Sequence, residues 1–182
     1  MKKINVIDLD KTLITVDSFR YLILKNINVK LLILCLLRTF GILSADEFAR
    51  RATRALKTVL DDPFKVERIV VFIKSKINNE ILELVKSRSD EQTSNIVISS
   101  SPEEYVKVFA RELGFEGIGS KFENNRFFRC YGKNKLEILK NLYPEKAFKY
   151  NMAISDNESD ISLLKCFNEG ILLTSGKKVI IS

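Results

Sequence analysis

Asp8 and Asp10 stand one residue apart where the apolar run Ile4-Asn5-Val6-Ile7 ends, and Thr12 follows them. On an extended chain residues i and i+2 point to the same side, so the two carboxylates face one small volume. Anions that close repel unless a cation or a shared proton lies between them, and hard divalent ions prefer oxygen ligands. The residue types therefore point to a Mg²⁺ site. A strand running into an Asp-rich turn is the plain structural alternative.

The rest of the composition narrows the chemistry. The chain has no histidine, which removes Ser-His-Asp and Cys-His catalysis, His-ligated zinc and any imidazole base. Acid-base work falls to carboxylates, lysine or tyrosine. Cys35, Cys130 and Cys166 are odd in number and far apart, so neither a disulfide framework nor a zinc knuckle is expected, and they read as free thiols in a reducing cytoplasm. Thirty basic against 23 acidic residues leave a formal charge of +7, which favours an anionic ligand: a phosphate ester, nucleic acid or an anionic lipid surface. Lys2 and Lys3 precede an apolar run that Asp8 and Asp10 interrupt, a pattern that argues against a signal peptide. The longest uncharged apolar stretch, Leu31 to Leu37 between Lys30 and Arg38, is far shorter than the ~20 residues that span a bilayer.

Carboxylates at a strand end need a sheet to hold them. The short Ile/Val-rich start reads as a buried parallel strand that delivers Asp8 and Asp10 to the sheet edge. Helical spacing then persists to about residue 87, with Gly41 as a stop, Ser44 and Glu47 as a capping box for a helix through Leu60, and Asp61-Asp62-Pro63 as a break before the next helix. Beyond it strands are expected at 94–99, 117–122, 150–155 and 170–174, with helices at 102–113, 133–142 and 160–167. Asn124-Asn125 marks a hairpin, and 178–182 is expected as a short edge strand. This alternation argues for a parallel sheet between helices, and 182 residues suit one core with a smaller inserted module.

Asp8-Leu9-Asp10-Lys11-Thr12 after a first strand resembles the first motif of the haloacid dehalogenase superfamily, mostly Mg²⁺-dependent phosphatases. Three further stretches match its later motifs in order: Ile96-Val97-Ile98 running into Ser99, Lys135 ahead of an apolar helix pattern with Lys133 as its rival, and Asp156 and Asp160 after another strand. A helical insertion after the first strand resembles the cap of the phosphoserine-phosphatase-like branch. The resemblance implies a Rossmann-like three-layer α/β/α core built from 1–12 and 88–182, with a helical cap at 13–87. It makes Asp8 the nucleophile, Asp10 the general acid and base, Ser99 a phosphoryl hydrogen-bond donor and Lys135 the cation that neutralises phosphate and orients Asp8. It further implies that Asp8, Asp156 and the Asp10 carbonyl hold Mg²⁺, with Asp160 behind them. Ser155 stands where relatives usually have Gly, and Lys11 where many have Gly. Thr12, Asp17, Ser100, and Arg50 and Arg54 of the cap's basic cluster are candidate substrate contacts.

The expected activity is hydrolysis of a small or medium phosphorylated metabolite in the cytoplasm through an aspartyl-phosphate. A phosphotransferase using the same intermediate, and a non-catalytic anion- or nucleic-acid-binding module, are the alternatives. Nucleic acid is not the expected partner, because the basic residues lack an aromatic interleave. The insertion holds 13 Lys and Arg against 8 Asp and Glu as well as the Leu-rich run, so membrane-surface contact competes with a reading of residues 31–37 as a buried core helix.

Overall fold

The computed structural model describes residues 1–174 and 177–181. Strand β1 (Lys2–Ile7) lies in the middle of a seven-stranded sheet, between β2 (Thr93–Pro102) and β5 (Phe148–Ser155), both parallel to it. Beyond β2 come β3 (Glu116–Glu123), parallel, and β4 (Arg126–Phe128), antiparallel; beyond β5 come β6 (Glu169–Thr174), parallel, and β7 (Lys177–Ile180), antiparallel. The chain leaves β1 toward one side for β2 and reaches the other side at β5, so the carboxyl end of β1 is a topological switch point, where open α/β sheets bind ligands.

Strand side chains alternate between two apolar layers. Ile4, Val6, Ile96, Ile98 and Ala153 face one layer, which α8 (Lys133–Leu142) and α9 (Ile161–Leu164) close with Leu139, Leu163 and Leu164. Ile7, Val97, Met152 and Ile154 face the other, which α5 (Pro63–Lys74), α6 (Asn79–Ser87) and α7 (Glu103–Glu112) close with Ile73, Val85 and Phe109. This is the expected three-layer α/β/α arrangement. The second layer continues without a break into α1 (Ser18–Lys25), α2 (Val29–Thr39) and α3 (Ala45–Ala55) through Leu22, Leu31 and Ala52.

The segment between β1 and β2 contains only helices, and local signals explain where they begin and end. Asp17, Asn28, Ser44, Asp62 and Asn78 each cap a helix by accepting a backbone N–H, and Pro63 opens α5. The capping box at Ser44 forms by half: Ser44 Oγ accepts from Glu47 N, but the Glu47 carboxylate turns outward to Arg50 and Arg51. The helix expected through Leu60 breaks at Leu56, leaving α3 and a four-residue α4 (Lys57–Leu60).

Later elements follow the sequence pattern closely. The hairpin turns at Asn124 and Asn125 with φ of 48° and 63°, the left-handed pair of a type I′ turn. The helix expected over 160–167 is shorter: a 3₁₀ turn at Glu158–Asp160 leads into α9. The expected edge strand forms as β7, and Ser182 at its end lies outside the described residues.

Candidate active site

Parallel register brings three strand ends level. Ile7 pairs with Val97 on β2 and with Ile154 on β5, so Asp8 lies beside Ile98-Ser99 and Ser155-Asp156. The Asp8 amide donates to Ile154 O at 2.9 Å, and the Asp8 carbonyl accepts from Leu13 N as the chain turns away from the sheet. Lys11 takes φ of 59° in that turn, a left-handed conformation that favours glycine, which explains the Gly seen there in the resemblance.

Lys135, near the start of α8, is buried, and its Nζ lies 2.6 Å from Asp8 Oδ1 and 2.7 Å from Asp160 Oδ2. The rival Lys133 is exposed. Ser155 Oγ donates to Asp160 Oδ2 at 2.7 Å and accepts from Asn157 N, so the serine at the usual glycine position supports the carboxylate that holds Lys135. Asp160 Oδ1 is buried and has no hydrogen-bond partner among the described residues.

Asp10 has its own shell. Its Oδ2 accepts from Ser101 Oγ at 2.6 Å and from Ser99 Oγ at 3.3 Å, and its Oδ1 accepts from Ser18 N at 2.6 Å. Ser18 Oγ lies within hydrogen-bond distance of Ser101 Oγ and of the buried Tyr105 hydroxyl. Thr12 Oγ1 accepts from Asp156 N at 2.9 Å and thereby ties the β1 turn to the β5 turn.

Burial dominates the electrostatics. Desolvation pushes Asp8 up to about 7 even though the Lys135 ammonium opposes the rise. Asp10 is raised by burial against hydrogen bonds from Ser101 and Ser18, and half-buried Asp156 is raised for the same reason, with Lys11 opposing. For Lys135 burial favours the neutral amine, but Asp8 and Asp160 together outweigh it and the ammonium is held charged.

Asp8, Asp10, Lys135 and Asp156 all line one cavity of about 260 Å³, with Asp17, Ser100 and Ser101. Ser99 is buried behind it and touches Asp10 from there; Thr12 is buried as well and acts on the Asp156 backbone. Asp17 also caps α1. Arg50 and Arg54 are not among the lining residues: Arg50 is engaged by Glu47, and the Arg54 guanidinium stacks over the Phe122 ring at 5.1 Å. Besides Lys11 and Lys135, the cations that line the cavity are Arg38 from α2 and Arg129 from the segment after β4, accompanied by Phe19, Phe48 and Tyr131. Arg129 stacks on Tyr131 at 4.3 Å, pairs with Asp46, and keeps its Nε buried without a partner.

Of the residues that sequence reasoning did not single out, Ser101 had a signal: it is two positions after Ser99 on a strand and so shares its side. Arg38, Arg129 and Tyr131 had none, because only the return of the chain after the hairpin and the packing of α2 carry them to the strand ends. Among the described residues, no three His, Cys, Asp or Glu side chains form a metal-holding group by themselves. A Mg²⁺ ion that keeps several waters needs less, one or two carboxylates and a carbonyl. Asp8 and Asp156 line one cavity, as the carboxylates of such a set must.

Comparison with known proteins agrees with this geometry. Among curated proteins none matches the chain. Its fold is that of a Bordetella pertussis Tohama I protein of unknown function, with a TM-score of 0.67 at 14% identity over 91% of this chain and 87% of that one. A phospho-aspartyl intermediate analogue of phosphoserine phosphatase aligns with a TM-score of 0.63 at 18% identity, covering 91% of this chain and 83% of that one. A HAD family hydrolase from Salmonella enterica subsp. enterica serovar Typhi aligns at 0.65 and 14% identity over 93% of this chain, which spans 62% of that protein. The family model for haloacid dehalogenase-like hydrolases matches residues 6–165, a span that runs from β1 through Asp160 and takes in all four motifs. With the buried Asp8–Lys135–Asp160 chain and the serine-held Asp10 at one sheet edge, the chain belongs to the haloacid dehalogenase-like hydrolase family.

Proposed function

We propose that the protein is a Mg²⁺-dependent phosphomonoester hydrolase in which Asp8 is the nucleophile. The observation that carries this reading is the pairing of two differently equipped carboxylates in one cavity: Asp8 against the Lys135 ammonium at 2.6 Å, and Asp10 held only by neutral donors. Burial raises both carboxyls, but at Asp8 the Lys135 ammonium opposes the rise and favours the anion that attacks, whereas at Asp10 the opposing hydrogen bonds come from neutral donors.

In this scheme a phosphate enters between Asp8 and the Ser100-Ser101 end of β2. An Asp8 oxygen attacks phosphorus, the ester oxygen leaves, and Asp10 gives it the proton. The resulting aspartyl-phosphate is then attacked by water, whose proton Asp10 takes, and phosphate departs with Asp8 restored. Lys135 stays charged throughout and holds Asp8 in line. Asp8, Asp156 and the Asp10 carbonyl would hold Mg²⁺, which when bound neutralises phosphate charge. The helical cap at 13–87, over the sheet edge, supplies Phe19, Arg38 and Phe48 to the cavity through its α1–α3 part and limits substrate size. Arg38 and Arg129 favour a substrate with anionic character beyond the phosphoryl group itself.

The test is turnover of p-nitrophenyl phosphate. Activity with Mg²⁺ that vanishes in EDTA and in Asp8→Asn is expected. An inert wild type across a phosphomonoester panel, together with steeply salt-dependent nucleic-acid binding, would instead support a binding module.

A further inference from the structure

Helix α2 carries apolar side chains on all sides, yet only one side is covered. Leu31 and Leu34 are buried against the helical layer, while Val29 is 76% exposed, Leu32 and Ile33 50% each, and Leu36 48%. Phe40, just past the helix end, is 75% exposed. At about 100° per residue these five fall within an arc of about 100°, so they form a stripe. Leu24, Ile27 and Ile42 on the flanking segments are exposed as well. The reading of residues 31–37 as a buried core helix holds for one side only: Leu31 and Leu34 are buried with Cys35 and Leu37 packed beside them, and the other side is uncovered. Single exposed apolar residues need no explanation, but a stripe of five on one helix face marks an interaction surface.

The charge around the stripe has one sign. Between Asp17 and Asp46 the chain has no carboxylate, and Arg20, Lys25 and Lys30 are all exposed. On neighbouring helices, by contrast, Arg50 and Arg51 pair with Glu47, Lys57 with Asp61 and Lys65 with Asp62. Next to the stripe an apolar groove of about 500 Å³ is lined by Val29, Ile33 and Leu37 together with Lys30 and Arg54.

We propose that this face docks on an anionic bilayer surface, the stripe entering the acyl boundary while Arg20, Lys25 and Lys30 meet lipid phosphates. Among the described residues no helix is long and apolar enough to cross a membrane, so the contact is peripheral. A two-fold contact with a second copy is disfavoured, because it would set the same unpaired cations against each other. Docking also has a consequence for the cavity: Phe19 of α1 and Arg38 of α2 line it, so the docked helices are those that flank its opening.

The chain has no tryptophan, which allows a single reporter to be placed. Leu36→Trp, and as control Leu142→Trp on exposed α8 surface, are mixed with vesicles of phosphatidylglycerol and phosphatidylcholine or of phosphatidylcholine alone. The expected result is a blue shift of emission for Leu36→Trp with anionic vesicles only, weakened by salt, and none for Leu142→Trp. In flotation, Leu32→Ser/Leu36→Ser/Phe40→Ser should reduce the bound fraction at least about ten-fold, and Lys25→Glu/Lys30→Glu should abolish the preference for anionic lipid. Circular dichroism confirms folding of each variant, and if the triple variant is unfolded the reporter pair decides alone. Equal shifts for the two reporters, no flotation at low salt, or a dimer in light scattering that the triple substitution dissolves would overturn the proposal. None of these readouts depends on turnover at Asp8, so docking and the phosphatase reading fail separately.

Discussion

Lys135 comes to Asp8 from 127 positions further along the chain, and its ammonium sits 2.6 Å from Asp8 Oδ1 and 2.7 Å from Asp160 Oδ2. One buried cation thus serves two buried carboxylates. Removing it leaves two anions in low dielectric, a situation that costs several kcal/mol unless they take up protons.

Lys135→Met should therefore lose activity about 100-fold or more and destabilise the protein by about 3 kcal/mol at pH 8. At pH 5 the destabilisation should be smaller, because protonation relieves the stranded carboxylates. Urea unfolding at the two pH values checks this, and equal losses at both would contradict it.

Asp8 titrates near 7 when folded and near 3.8 when unfolded. Between those values the folded state binds more protons, so stability without a divalent cation falls as pH rises, by up to about 4 kcal/mol from this group. Melting temperatures in EDTA should drop from pH 5 to pH 8. Added Mg²⁺ should recover more of the loss at pH 8 than at pH 5, where the ligand is protonated.

Ser101 donates the shorter of the two serine hydrogen bonds to Asp10 and thereby holds its pKa down. Ser101→Ala should lower kcat about ten-fold and move the alkaline limb of the kcat profile to higher pH, since Asp10 then keeps its proton longer. Ser99→Ala, which removes a 3.3 Å contact, should shift that limb less. A kcat–pH series on both variants distinguishes them.

At Gly119 a Cβ would lie 2.5 Å from Glu103 Cα and 2.6 Å from Glu103 N, so β3 and the start of α7 touch backbone to backbone. Gly119→Ala should cost about 1–3 kcal/mol through overpacking. It should also lower kcat, because α7 follows directly from Ser101 and Pro102. Denaturant midpoints and kcat are expected to fall together.

Arg129→Ala should raise KM for an anionic substrate about ten-fold with a smaller effect on kcat, as expected of a group that binds without reacting. Arg50→Ala, whose side chain is engaged by Glu47 away from the cavity, should leave KM unchanged. Steady-state kinetics on the two variants separates the cavity cation from the surface one.

The order of strands and helices was legible because period-two and helical spacings are local, and the capping residues Ser44, Asp62 and Pro63 sit within a turn of the backbone they serve. Much of the site was legible for a related reason. In a parallel sheet the carboxyl ends of neighbouring strands converge, so residues that close apolar runs, Asp8, Ser99 and Asp156, come together whatever lies between them. Lys11 in a left-handed turn and Ser155 supporting Asp160 occupy positions that the sequence marked as unusual without showing their role.

From the sequence alone came the alternating α/β architecture, the strand-end carboxylates and the exclusion of histidine chemistry, all properties of residue type and short spacing. Only the tertiary structure decided that Arg38 and Arg129 rather than Arg50 and Arg54 line the cavity, that Ser18, Ser101 and Tyr105 surround Asp10, and that one side of α2 stays uncovered. Those outcomes depend on which helix packs against which, and an apolar residue at a given helical position reads the same in sequence whether a neighbour covers it or not.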